Sequence, residues 1–209
     1  MAAAYTSRDM VEDYLRYQLL STGVVWRTPP PQPQRARTSR EGDATTDHAH
    51  TGIRLPLPRV QVALRCACDE LERRYYDNLS AQVLLLLQCR NRSGVERRQN
   101  LTRVSDELFR DGVNWGRIVT MMALGGVLSS EVARIGRVGQ VDDIARWLED
   151  SLESPRLQRW IADNGGWDAF VELYGDSRPP GSFWSMRTMF GLAVLGAAGI
   201  TLGALFSQK

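Results

Sequence analysis

The chain has 209 residues, a formal net charge of +2 and three cysteines. That length buries one full core and little more, and the charge is too small to argue for nucleic acid. The cysteines (Cys66, Cys68 and Cys89) form no disulfide pattern and fit a reducing compartment.

Met1–Tyr17 lacks an apolar stretch and carries Arg8, Asp9, Glu12, Asp13 and Arg16, so no signal peptide is expected. The spacing of Met10, Val11, Tyr14, Leu15, Gln18 and Leu19 predicts an amphipathic helix from roughly Ser7 to Val25. Ser7 is its expected N-cap and Gly23 its stop signal. From about Arg27 to Pro58 the chain holds almost no large apolar residue. Such a segment cannot offset its ordering entropy and is expected to be a mobile loop. Within it, Pro30-x-x-Pro33-x-Arg35 matches an SH3-ligand pattern, a match that proline-rich linkers make by accident. His48 and His50 read as solvated loop residues rather than metal ligands. Glycosylation sequons at Asn78, Asn91 and Asn100 read as chance.

From Arg59 to about Gly175 the apolar period is helical, with no alternating strand run. Helices are expected near 59–78, 81–90, 99–110, 114–131, 139–153, 155–162 and 167–174. The 114–131 segment is apolar on nearly every face, from Ile118 to Leu128. Its uncharged run is shorter than the ~18–20 residues of a membrane span, which makes it the central helix of a bundle. Gly125 and Gly126 lower its helix propensity and let a neighbour approach closely. Arg117 opens that apolar run, so its cation has to face an anion or water. Thr188 to Gln208 carries no charge and, as a helix, reaches about 30 Å. It follows Arg178-Pro179-Pro180-Gly181, has Arg187 and Lys209 at its flanks and Phe183 and Trp184 upstream. It reads as a tail anchor with the body in the cytosol, the alternative being a segment folded back on the body.

Four stretches carry a resemblance. "RDMVEDYLRYQLLSTGVVW" (8–26) resembles the BH4 motif of the Bcl-2 family and "VALRCACDELERRY" (62–75) resembles BH3. "ELFRDGVNWGRIV" (107–119) with Gly125-Gly126 resembles BH1, and "WIADNGGWDAFVELYG" (160–175) resembles BH2. Their order, the loop and the apolar tail match the pro-survival branch. The resemblance implies an all-α Bcl-2-like bundle with a C-terminal transmembrane tail anchor. A BH4-like helix (1–26) and a loop (27–58) would precede the rest of the bundle (59–176), with BH3 at 60–75, BH1 at 107–126 and BH2 at 160–175. A linker (177–187) and the anchor (188–208) would follow.

It further implies a surface groove that takes a BH3 helix from a pro-apoptotic partner, BH3-only or Bax/Bak-like. By resemblance Arg117 pairs with the ligand's aspartate, Asn114 hydrogen-bonds beside it, and Gly116 keeps the backbone accessible. Leu71, Tyr75, Leu79, Val104, Leu108, Leu124 and Tyr174 would form the walls, with Glu107 near the rim; by spacing alone the apolar ones read as core. Trp115, Trp160 and Trp167 are expected to be scaffold. The implied setting is the mitochondrial outer membrane or the endoplasmic reticulum, with homo- or heterodimers of the same fold. Two departures stand out. Cys68 stands where the family usually has glycine and Ala67 is a small anchor, so this chain's own BH3 is a weak ligand, with Val60, Leu64 and Leu71 pointing into its own core or groove floor. Leu124, Met121 and Met122 replace aromatics, which makes the groove more adaptable. No catalytic set, metal cluster or cofactor motif is present, so a non-enzyme binding protein is expected. A pore-forming effector of the same fold and an unrelated tail-anchored scaffold are the alternatives.

Overall fold

The computed structural model describes residues 6–27, 59–88 and 94–175. The proline-rich segment with its SH3-like match and two histidines, Cys89, Asn91, the linker and the tail-anchor run lie outside the described residues.

Thr6, not Ser7, starts the first helix. Its hydroxyl accepts from the Asp9 backbone N–H at 3.1 Å, and the Asp9 carboxylate accepts from the Thr6 N–H at 3.2 Å. This reciprocal box satisfies two otherwise orphaned donors, and α1 runs Ser7–Ser21. It ends four residues before the expected limit because Gly23 turns into the left-handed region, φ 78°. Its six periodic residues, Met10 to Leu19, are all buried. The chain then doubles back, and the Trp26 indole N–H donates to Asp142 at 2.9 Å.

The two helices expected between 59 and 90 are one assigned helix, α2 (Arg59–Gln88), with its break at Tyr75 (φ −127°, ψ 28°) rather than near residue 80. Helix α3 (Gly94–Phe109) starts five residues before its expected boundary. Helix α4 (Trp115–Arg134) is capped by Asn114 and buried over nearly all its length. It packs against α1, α2, α3 and α5 and is the centre of the bundle. A single 3-10 turn, Val138–Gln140, leads into α5 (Val141–Leu152). Ser154 caps α6 (Pro155–Asp163), with proline at the first position where its missing N–H costs nothing. Helix α7 (Gly166–Tyr174) packs on α6 and α2. The described residues contain no strand, and among them no helix is long and apolar enough to cross a membrane.

The paired glycines of α4 set its closest contacts. A Cβ at Gly125 would lie 2.7 Å from Leu148 of α5, and one at Gly126 would lie 2.6 Å from the Tyr14 hydroxyl of α1. Glycine therefore lets two helices reach the central one on adjacent sides. Helix α2 approaches through Cys68, which is fully buried with its sulfur 3.8 Å from the Val119 carbonyl oxygen. Burial pushes its thiol pKa well up, so it acts as a small core side chain.

Candidate functional site

The turn between α3 and α4 builds the polar head of the site. Gly112 has φ 116°, a backbone state that side chains rarely adopt, and it aims its carbonyl at α4. Arg117 Nη1 donates to that carbonyl at 2.6 Å. The Asn114 side-chain oxygen accepts from the Arg117 backbone N–H at 2.8 Å. Asn114 thus serves as the cap of α4, which commits its oxygen and leaves its amide N–H2 as the end able to meet a ligand. Arg117 Nη2 stands 4.0 Å from Asp111, which is itself 64% exposed and 3.5 Å from Arg110. The Arg117 side chain is only 14% exposed, and its Nε is buried with no hydrogen-bond partner. An always-charged guanidinium with one buried donor left over is what a carboxylate can satisfy.

Aromatic rings hold this head in place. Trp115 lies 5.1 Å from Trp160 of α6, 5.3 Å from Trp167 and 5.1 Å from Phe170 of α7. Phe170 stacks in turn on Tyr174 at 4.6 Å. The tryptophans expected to be scaffold thus pin Trp115, two residues before Arg117, to the BH2-like segment. Gly116 is buried, and its carbonyl accepts from the Thr120 hydroxyl at 2.8 Å.

Leu71, Leu79, Val104, Leu108, Leu124 and Tyr174 are all buried in one apolar cluster, with Tyr75 partly buried against it at the break in α2. Burial also raises the pKa of the Tyr174 phenol. Glu107 is not a bare rim charge: Arg110 Nη1 reaches it at 2.7 Å. The residues named from the sequence therefore divide into a polar head at the start of α4 and an apolar set that the chain closes on itself. Sequence reading missed Arg110, Asp111 and the Gly112 carbonyl as partners of this head. The Asp-Gly pair was a readable turn signal, but nothing in it says which side chain the carbonyl will hold.

The BH3-like stretch faces inward. Val60, Leu64 and Leu71 are buried, as expected, and so are Ala67 and Cys68. Its outer polar side chains are tied to α1. Arg65 holds Asp13 in two hydrogen bonds, at 3.0 and 2.5 Å, with its guanidinium 4.8 Å above the Tyr17 ring. Tyr17 donates to Asp69 at 2.6 Å, and this bond raises the Tyr17 pKa to about 12. Tyr14 donates to Glu72 at 3.0 Å, and Gln18 donates to Glu72 as well. Burial pushes the Glu72 carboxyl up to about 7 against these donors.

Comparison with known proteins adds the relatives. Residues 64–167 match the family model described as "Apoptosis regulator proteins, Bcl-2 family". The chain is 36% identical to apoptosis regulator Bcl-2 of Gallus gallus over 98% of this chain and 97% of that protein. It is 32% identical to Bcl-2-like protein 1 of Homo sapiens, over 98% of this chain and 99% of that one.

Proposed function

The chain belongs to the Bcl-2 family of apoptosis regulator proteins, and we propose that it is an anti-apoptotic receptor for BH3 helices rather than an enzyme. The carrying observation is Arg117: a guanidinium fixed by the Gly112 carbonyl, nearly buried, with an unpaired Nε. A ligand aspartate brought to it gains a charge-assisted hydrogen bond. The ligand's apolar residues displace the buried set around Leu71, Leu79, Val104, Leu108 and Leu124. Each anchor is worth about 1.5–3 kcal/mol in transfer energy, but parting those residues from one another offsets some of it, so affinity is less than the sum of the anchors. The apolar contacts supply affinity, and Arg117 fixes register and rejects helices without the acid.

The chain's own BH3-like stretch supports a receptor over a donor. Its apolar face is in the core and its Asp69 is bonded to Tyr17. Blocking permeabilisation of the mitochondrial outer membrane then follows from sequestering pro-apoptotic BH3 helices. The apolar run 188–208 would hold the protein at that membrane or at the endoplasmic reticulum, facing the cytosol. The test is fluorescence anisotropy of a labelled BH3 peptide with the full-length chain. Tight binding that falls about 30-fold or more in Arg117→Glu, with helix content unchanged, is the expected result. No binding by the folded wild type would sink the reading.

A further inference from the structure

Helix α3 has a second lined face. Val104 and Leu108 turn into the core, whereas Arg98, Asp106 and Phe109 border a cleft of about 370 Å³ between α3, α5 and the head of α6. That volume lies in the range of small-ligand pockets. Phe109, Trp147 and Leu157, nearly buried, form its floor.

The cleft is pre-built. Trp147 Nε1 donates to Ser105 at 2.7 Å, and the hydroxyls of Ser105 and Ser151 are 2.9 Å apart. Arg97 reaches Asp143 at 3.4 Å. The Arg97–Asp143 and Ser105–Ser151 links both join residues 46 apart in sequence. Helices α3 and α5 therefore run parallel in constant register.

That register sorts the charges. Arg98 stands level with Ile144, and Arg146 level with Asn100, at one end. Asp150 stands level with Val104, and Asp106 level with Leu152, at the other. Arginine and aspartate are roughly 12 Å apart along α3 and roughly 6 Å apart along α5. The third arginine, Arg156, enters from the head of α6, which follows directly on the C-terminal end of α5, so it lies at the aspartate end and leaves that end with a smaller negative excess. Among the described residues, Arg98, Arg156, Asp106 and Asp150 have no side-chain ion pair or hydrogen bond, and Arg146 only a 3.9 Å approach to Asp143. A chain that can pair its surface arginines with carboxylates elsewhere leaves them apart here, fixed on two cross-linked helices.

A simple anion is repelled by one end of this cleft and a simple cation by the other. A ligand carrying both signs at matched spacing is attracted at both. An α-helix presents residues i, i+3/i+4 and i+7 on one face, spanning roughly 10 Å. Its positive N-terminal dipole end favours the aspartates. We infer that this cleft docks an amphipathic helix of a partner protein, one with a basic residue followed two turns later by an acidic residue and apolar side chains between. The basic residue meets Asp106 and Asp150, the apolar ones meet the floor of Trp147, Phe109 and Leu157, and the acidic residue meets Arg98 and Arg146.

The test uses a labelled, stapled helical peptide of about 14 residues with that pattern, and a second with its two charges exchanged. Both are titrated against the full-length chain by anisotropy. The patterned peptide binds more tightly, on the order of tenfold. The patterned peptide is no longer preferred by the Arg98→Glu/Asp106→Arg chain, in which Arg146 and Asp150 offset the new charges and whose two changes fall on exposed positions, and the preference persists in Arg117→Glu. Equal affinity of the wild-type chain for the two peptides, a preference unmoved by the double change, or no binding by the wild-type chain overturns the proposal. Loss of binding in Arg117→Glu also overturns it, because the peptide then occupies the BH3 site.

Discussion

The seam between α1 and α2 and the head of α4 are both polar, and they end in opposite states. Along the seam, Asp13, Tyr14, Tyr17 and Gln18 each find a partner on α2. Most of those side chains are buried or half-buried, so the closed network fixes how one helix sits on the other. At the head of α4, Arg117 is held by one carbonyl and a distant carboxylate and keeps a buried Nε unpaired. A satisfied network holds a fold together; an unsatisfied charge, fixed by a backbone carbonyl on a helix whose first residue is packed among aromatic rings, is where a partner is to be sought.

The largest expected effect is Arg117→Glu. Peptide binding falls by about 2–5 kcal/mol, while the urea midpoint of the chain stays near wild type. A drop in stability comparable to the binding loss would erase the contrast, because Arg117 would then belong to the closed kind.

Gly126→Ala should act the other way. The new Cβ meets the buried Tyr14 hydroxyl at 2.6 Å and pushes it off Glu72, at a cost of about 2–3 kcal/mol of stability. Adding Tyr14→Phe removes the nearest atom, so the double variant should be less destabilised than the sum of the singles in a denaturation cycle. Strict additivity would show that the seam does not bear on α4 here.

Glu72 gives a smaller effect with a sign. Its folded carboxyl keeps a proton up to about pH 7, against an ordinary value of 4.5. Between those values the folded state binds more protons than the unfolded one, so this group's contribution falls as pH rises through the window. The span corresponds to about 3 kcal/mol at full burial, and about 2 after partial exposure. Glu72→Gln should flatten the stability profile between pH 5 and 8 and exceed wild type at pH 8. A variant profile parallel to wild type would place the titration elsewhere.

Arg65→Ala is the mildest. It breaks the pair with Asp13 and the contact over Tyr17, both partly exposed, and should lower stability by about 1 kcal/mol without changing peptide affinity. A change in affinity would mean the seam reports to the groove.

Much of this was legible beforehand. The periodicity of α1 named all six of its buried residues, and the all-round apolarity of α4 marked it as the central helix. Gly125 and Gly126 announced close approach without saying to what; Leu148 and Tyr14 lie 23 residues on and 112 residues back, beyond the reach of any local pattern. The break in α2 was misplaced because Tyr75 has no breaker chemistry. Its backbone departs from helix in a segment whose two halves both pack into the core, a tertiary override of propensity.

What the sequence determined by itself is everything set by near neighbours: which stretches are helical, which face of each is apolar, where caps and turns stop them, and, through four motifs in order, the family. Tertiary structure alone decided which polar groups end up satisfied. Whether Glu72 meets Tyr14 and whether Arg98 stays apart from Asp150 depend on the register of helices distant in the chain. Hydrogen bonds and ion pairs act over a few ångströms and depend steeply on distance and angle, so one turn of helix-on-helix register changes the partner. Apolar burial tolerates such shifts, since it depends on area rather than direction.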